Sequence, residues 1–251
     1  MGQTFVFVNQ KGGVGKTTSV INIGAYMALE GKKTLLVDFD SQGNMTSGVG
    51  VDRKKPTVYD LLAGRSSPAD VVRKTSVPRL FAIPASIDLS GATVELVEQK
   101  EREFFLKNAI APLKNDYDYI LIDCPPSLGL LTLNGLAAAE QVLIPLQCEY
   151  FALEGLTLLL QTVRRVQNSV NPSLVIGGIF FTMYDPRMRL PQDVVRQVKM
   201  YFKERVFDTV IPRNIRLSEA PSHGLPVCAY DPACSGARSY EQLAKEIIAR
   251  G

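Results

Sequence analysis

The chain has 251 residues, 46% of them apolar and 21% charged, with a formal net charge of +3. That is the profile of one large globular domain or two small ones, with ample chain for a buried core. No basic stretch with a signal-like apolar segment precedes the first apolar run, and no run of ~18 uncharged apolar residues appears, so a soluble, cytoplasmic protein that spans no membrane is expected. Cys124, Cys148, Cys228 and Cys234 form no C-x-x-C pair, and one histidine is too little to complete a zinc site. Reduced structural thiols are the reading.

In chain order, short apolar and β-branched runs read as strands at Thr4 to Val8, Thr34 to Phe39, Tyr119 to Asp123, Gln141 to Leu146, Val175 to Phe181 and Phe207 to Ile211. Helix-length amphipathic segments lie between most of them. Strands this apolar are covered on both faces, and the alternation predicts an α/β fold, a single doubly wound, mainly parallel sheet with helices on both faces. No linker or composition break divides the chain, so residues 1–251 are read as one domain. Pro56, Pro68 and Pro78 punctuate Arg53 to Arg79, which reads as an insertion of short helices at the edge. The tail "SYEQLAKEIIAR" places Leu243, Ile247 and Ile248 on one apolar face that should pack on the body.

The first strand runs into the stretch "NQKGGVGKTT". Gly12, Gly13 and Gly15 let successive N–H groups converge on phosphate oxygens, and a helix starting near Lys16 adds its positive dipole end. Lys16 would reach the β and γ phosphates and the Thr17 hydroxyl would ligate magnesium. The usual pattern is broken in one place: Gln10 stands where the first glycine belongs, and Lys11 follows it. A dinucleotide fingerprint is the rival reading, and Asp38 lies at about the right distance for a ribose contact, but the third glycine is missing. A plain glycine turn would not need the Lys-Thr pair.

Hydrolysis of a nucleotide needs carboxylates for the metal and the attacking water. "YILIDCPP" ends its strand in Asp123, the Walker B form beside magnesium. "TLLVDFDSQGN" ends in Asp38 and Asp40 on one side of the strand, with Asp40 further out and better placed to orient water. Further along, Asp185 to Arg216 carries eight basic residues against four acidic ones, a net of +4 that leaves −1 for the rest of a chain of net +3. Charge alone does not decide between an ordinary solvated face and an anionic partner.

Lys11-Gly-Gly-Val-Gly-Lys16-Thr17 resembles the deviant Walker A motif of the ParA/MinD superfamily, and "DFDSQGNMTSGVG", "IPASIDLSGATVEL", "YDYILIDCPPSLGLLTLNGL", "CEYFALEGL", "TMYDPR" and "VIPRNIRLSEAPSHGLP" follow in the order of Soj-type ParA proteins. The resemblance covers nearly the whole chain. It implies a weak ATP hydrolase, stimulated by a ParB-type centromere-binding partner, that positions DNA. It further implies an ATP-dependent homodimer in which Lys11 crosses to the partner's ATP, so that two nucleotides are sandwiched. The dimer would bind double-stranded DNA without sequence preference and associate with the nucleoid.

By matching positions, Lys11, Gly12, Gly13, Val14, Gly15, Lys16, Thr17 and Thr18 would contact phosphates, with Lys11, Lys16 and Asp40 the catalytic set. Thr17 and Asp123 would hold Mg2+, Pro212 and Asn214 would line the adenine pocket, and Arg187 and Arg216 would bind DNA. Close approach of two loops across the dimer would leave Gly12 no room for a side chain. Ser41 and Met188 depart from the family's usual proline and threonine without removing a charge. No helix-turn-helix domain is expected ahead of the first strand, and His223 reads as structural. A MinD-like membrane-cycling ATPase is the alternative; it would need an exposed basic amphipathic tail, which the last residues lack. A redox protein resembling the nitrogenase iron protein would need paired cluster cysteines, and Cys124 and Cys148 lie in the wrong segments.

Overall fold

The computed structural model describes residues 2–149 and 152–251; part of the "CEYFALEGL" motif therefore lies outside the described residues. Eight strands form one sheet: β1 (Gln3–Phe7), β2 (Thr34–Asp38), β3 (Arg73–Lys74), β4 (Leu80–Ile83), β5 (Tyr119–Asp123), β6 (Gln141–Gln147), β7 (Val175–Tyr184) and β8 (Val206–Pro212). Their order is β3-β4-β2-β5-β1-β6-β7-β8. Every pairing is parallel except β3 with β4.

Two of these strands escaped the sequence reading. Arg53 to Arg79 does contain short helices, Val58–Leu62 and Pro68–Val71, but it also supplies β3, and β4 follows directly. β3 has two polar residues and no alternation to detect. β4 is only four residues between Pro78 and Pro84, and its backbone bonds to β2 rather than its length make it a strand. The six strands that were read keep their places, Tyr119–Asp123 with both ends as read and the others with one or both ends displaced by one to three residues; terminal residues are where periodicity says least.

Side chains alternate across the sheet and split the core into two layers. Phe5, Phe7, Leu36, Leu121, Leu143 and Phe180 face the helices Lys16–Leu29 and Ser235–Arg250. Val6, Leu35, Val37, Ile120, Ile122, Val142 and Ile144 face the layer built from Leu130–Ala138, Ala152–Ser169 and Arg189–Phe202. The tail helix docks as its pattern predicts: Leu243 and Ile247 are buried, Ile248 is half-buried, and Tyr240 Oη lies 3.0 Å from Ser19 Oγ on the first helix.

The register fixes where chemistry can occur. Phe7, Asp123 and Asp38 are neighbours across three adjacent strands, so the glycine loop after β1 and the carboxylates ending β2 and β5 emerge at one edge. The chain passes from β1 to β2 on one side and returns to β6 on the other, which makes that edge the topological switch point.

At the far side of the sheet, Gly178 lies against a fixed ring: a Cβ there would sit 2.2 Å from Cε2 and 2.8 Å from Cζ of the buried Phe207. Gly178→Ala should therefore overpack the core and lower stability by about 1–3 kcal/mol in urea unfolding. An unchanged midpoint would mean that the β7–β8 pair yields freely.

Candidate active site

The glycine loop is shaped by its own backbone. Gly13 and Gly15 hold φ of 74° and 84°, a region that favours glycine, and Gly15 caps the helix Lys16–Leu29. The first bond of that helix runs from the Ser19 N–H to the Gly15 carbonyl, at 2.9 Å. N–H groups ahead of it are available to an anion, where the helix dipole is positive. Thr182 Oγ1 donates to the buried Val14 carbonyl at 2.8 Å, and Asn9 braces the loop from the other end, donating to Pro145 O and accepting the Lys11 N–H.

Gly12, Gly13, Gly15, Lys16, Thr17, Thr18 and Asp40 line a cleft of about 640 Å³. Lys16 is buried, and its ammonium donates to the carbonyls of Asn9 and Lys11 at 3.1 and 3.2 Å. Burial pushes its pKa down, against the charges of Asp123 and Asp40. Pro212 and Asn214 line an adjoining pocket of about 110 Å³, joined to the cleft through Gly15, Thr18 and Met183. The Asn214 side chain accepts the Arg216 N–H at 2.8 Å as a helix cap and donates to Ser235 Oγ at 2.9 Å, so its amide is already engaged.

Asp123 is 1% exposed, and among the described residues neither carboxylate oxygen meets a hydrogen-bond partner of normal geometry. Burial pushes its carboxyl well above the ordinary value, the charge of Asp38 adds to the push, and the Thr17 hydroxyl and Lys16 ammonium pull the other way. A desolvated, unpartnered carboxylate beside a hydroxyl is a donor set that fits a hard divalent cation. Asp38 differs: it is fully buried, raised to about 6 by burial, and bonded to Thr46 and to the Asp40 N–H. Those bonds leave it no route to a ribose, which disposes of the dinucleotide reading. Asp40 is partly exposed in the cleft wall, with Oδ1 accepting the Gln42 N–H at 3.0 Å.

Lys11, Arg187 and Arg216 stand apart from the cleft. Lys11 lines a different small pocket, with Gln147 and Glu149, and its half-exposed ammonium is paired with the Glu149 carboxylate. Among the described residues a Cβ on Gly12 would meet only Pro126, at 3.9 Å, so none of them bars a side chain there. Arg187 is 86% exposed and held by Asp185 through two bonds of 2.8 and 2.6 Å, which take the Asp185 pKa down to about 2. Arg216 lies between Glu219 at 2.8 Å and Asp231 at 3.2 Å. His223 stacks on Tyr230 with centroids 4.9 Å apart, a packing role. Gln42, Asn44, Ser47, Met183, Pro221 and Ser222 also line the cleft; they lie within the quoted motifs, but nothing in their chemistry marks them as cleft residues, because only the fold gathers their segments. A second groove of about 510 Å³, lined mainly by leucines and valines with Arg102 and Arg165 among them, shares no residue with the cleft.

A sequence family described as an AAA domain matches residues 2–176. Over 250 residues the chain is 70% identical to the chromosome-partitioning ATPase Soj of Treponema pallidum, across 100% of this chain and 98% of that protein. It belongs to the Soj/ParA family. The sporulation initiation inhibitor protein Soj of Bacillus subtilis is 53% identical over 253 residues, covering 100% of both chains. Among solved structures, a Mycobacterium smegmatis protein named cobyrinic acid a,c-diamide synthase, with bound ATP analogue and magnesium, superposes at a TM-score of 0.85. It is 38% identical and covers 98% of this chain and 93% of its own. The septum site-determining protein MinD of Pyrococcus horikoshii, complexed with Mg-ADP, gives 0.81 at 27% identity, over 98% of this chain and 96% of that one. Differently named proteins share this fold, so the full-length sequence identity carries the family. As a Soj/ParA member the chain is an ATP hydrolase that uses ATP with magnesium.

Because the folded-state pKa of Asp123 lies above its ordinary 3.8, the stability tied to its protonated form is present at acid pH and is lost as pH rises through the folded value. Asp123→Asn should therefore make the nucleotide-free protein more stable at pH 7, by about 1–3 kcal/mol in urea unfolding. That gain should shrink near pH 4. A variant less stable at both pH values would show that the carboxylate has a partner.

Proposed function

We propose that this ATPase is a nucleotide-gated DNA clamp. Lys11 bridges two protomers across their ATPs, the dimer holds double-stranded DNA without sequence preference, and hydrolysis stimulated by a ParB-type partner releases it. The observation that carries the reading is the placing of Lys11: it stands outside its own cleft, on the surface, while Lys16 already serves the loop. One lysine and one divalent cation do not neutralise a triphosphate, and a cation from a second subunit would couple association to the γ phosphate.

Residues Gly12 to Thr18 would cradle the phosphates, and Pro212 and Asn214 would wall the base. Thr17 and Asp123 would hold magnesium, which neutralises phosphate charge when bound. Asp40 would orient water. Arg187 and Arg216, from the basic segment, would contact DNA phosphates, as suits a footprint without an aromatic platform for single strands. Basal turnover should be slow, because among the described residues no further cation lines the cleft.

DNA binding measured with ATP, ADP and no nucleotide across a salt series tests the switch and the phosphate contacts together. Wild type should bind only with ATP. Lys11→Ala should still bind ATP but remain monomeric and lose DNA affinity by about tenfold or more; equal dimerisation and DNA binding would end the bridging account. Asp40→Ala should trap an ATP-bound dimer on DNA. The likeness to MinD supports a second reading, a membrane-cycling ATPase, and ATP-dependent pelleting with anionic liposomes but not with DNA would favour it.

A further inference from the structure

The lip of the cleft that carries Asp40 is anchored from two sides. Asp40, Gln42, Asn44 and Ser47 all line the cleft, within one short turn and the helix Asn44–Gly48. From outside, Arg53 Nη2 donates to the Gly43 carbonyl at 2.8 Å and to Ser47 Oγ at 2.6 Å. From inside, the anchor is Asp38. Its Oδ2 accepts the Thr46 N–H at 2.8 Å and the Thr46 hydroxyl at 2.6 Å, and its Oδ1 accepts the Asp40 N–H at 3.2 Å. Thr46 Oγ1 in turn accepts the Ala85 N–H at 3.0 Å, just beyond β4.

Asp38 and Thr46 are both 0% exposed. An apolar side chain at Asp38 would fill the strand end without desolvating a charge, so the carboxylate needs a reason. All three of its donors belong to the lip, and none belongs to the glycine loop. Bonds to an ionised acceptor are the stronger kind, and two of these are at or below 2.8 Å. The bond to the Asp40 N–H restrains the backbone of that residue, and the bonds to Thr46 restrain the other end of the same lip.

We propose that Asp38 and Thr46 are positioning residues for ATP hydrolysis: together they fix where the Asp40 carboxylate stands relative to the phosphates. The inference rests on the reading of Asp40 as the residue that orients water. A displacement of about 1 Å at such a group costs on the order of a hundredfold in rate, while substrate binding through the glycine loop is untouched.

The test compares steady-state ATP hydrolysis by wild type, Thr46→Val, Thr46→Ser and Asp40→Ala. Thr46→Val keeps the shape and loses the hydroxyl; its kcat should fall by about tenfold to a hundredfold with KM within about twofold. Thr46→Ser, which retains the hydroxyl, should return kcat to within about threefold of wild type. If Asp40→Ala is inactive while Thr46→Val turns over like wild type, the positioning role is wrong and the Asp40 reading stands. Unchanged turnover in Asp40→Ala sinks both. Parallel losses in kcat and KM that serine does not repair would assign Thr46 to folding alone and overturn the proposal. Should Thr46→Val not fold, residue-by-residue amide exchange of the wild type decides. Protection of the Asp40 and Thr46 amides relative to Ser41 is expected, and exchange as fast as Ser41 would overturn the clamp.

Discussion

A carboxylate sealed from water, with no hydrogen-bond partner of normal geometry among the described residues, is the constraint around which this fold is arranged. Asp123 closes β5, one strand from a second buried carboxylate, Asp38, and next to the buried ammonium of Lys16. Like charges held this close in a medium of low dielectric repel strongly, and the repulsion falls when a proton or a cation arrives. Lys16 supplies part of the compensation but is itself tied to two loop carbonyls. The empty-handed oxygens of Asp123 and the free N–H groups of the loop are thus complementary wants: one seeks positive charge, the other negative. A metal–polyphosphate complex satisfies both at once, and the parallel register of β1, β5 and β2 sets the two demands side by side.

Much of this was legible in the sequence, for definite reasons. Strands buried on both faces are nearly pure apolar runs, so β1, β2, β5, β6, β7 and β8 announced themselves, and the residues ending them fell at the sheet edge. The glycine loop was legible because few residue types tolerate the φ of Gly13 and Gly15. β3 and β4 were not, because two polar residues and a four-residue run between prolines leave no period to read. The wall of the cleft was also hidden. Met183 comes from the end of β7 and Pro221 and Ser222 from the helical turn Ala220–His223, and Met183 holds a left-handed φ of 51° that no composition rule signals.

Asp38 shows where strand alternation gives the side of the sheet but not the role. It shares a face with Asp40 and could be read as a ligand contact, yet Thr46 and the Asp40 amide take up its oxygens. A residue two positions away in sequence works at the surface of the cleft while Asp38 works beneath it. Burial and hydrogen-bond partners separate the two.

The internal ion pairs have a further consequence, in the accounting of dissolved ions. Arg187 leans on Asp185, and Arg216 on Glu219 and Asp231. A phosphate that took the place of one of these carboxylates would leave it to gather a cation from solution. Ion uptake at the protein then offsets part of the ion release at the polyanion. If it met a polyanion, a surface built this way would grip it with a shallower dependence on ionic strength than its number of arginines implies.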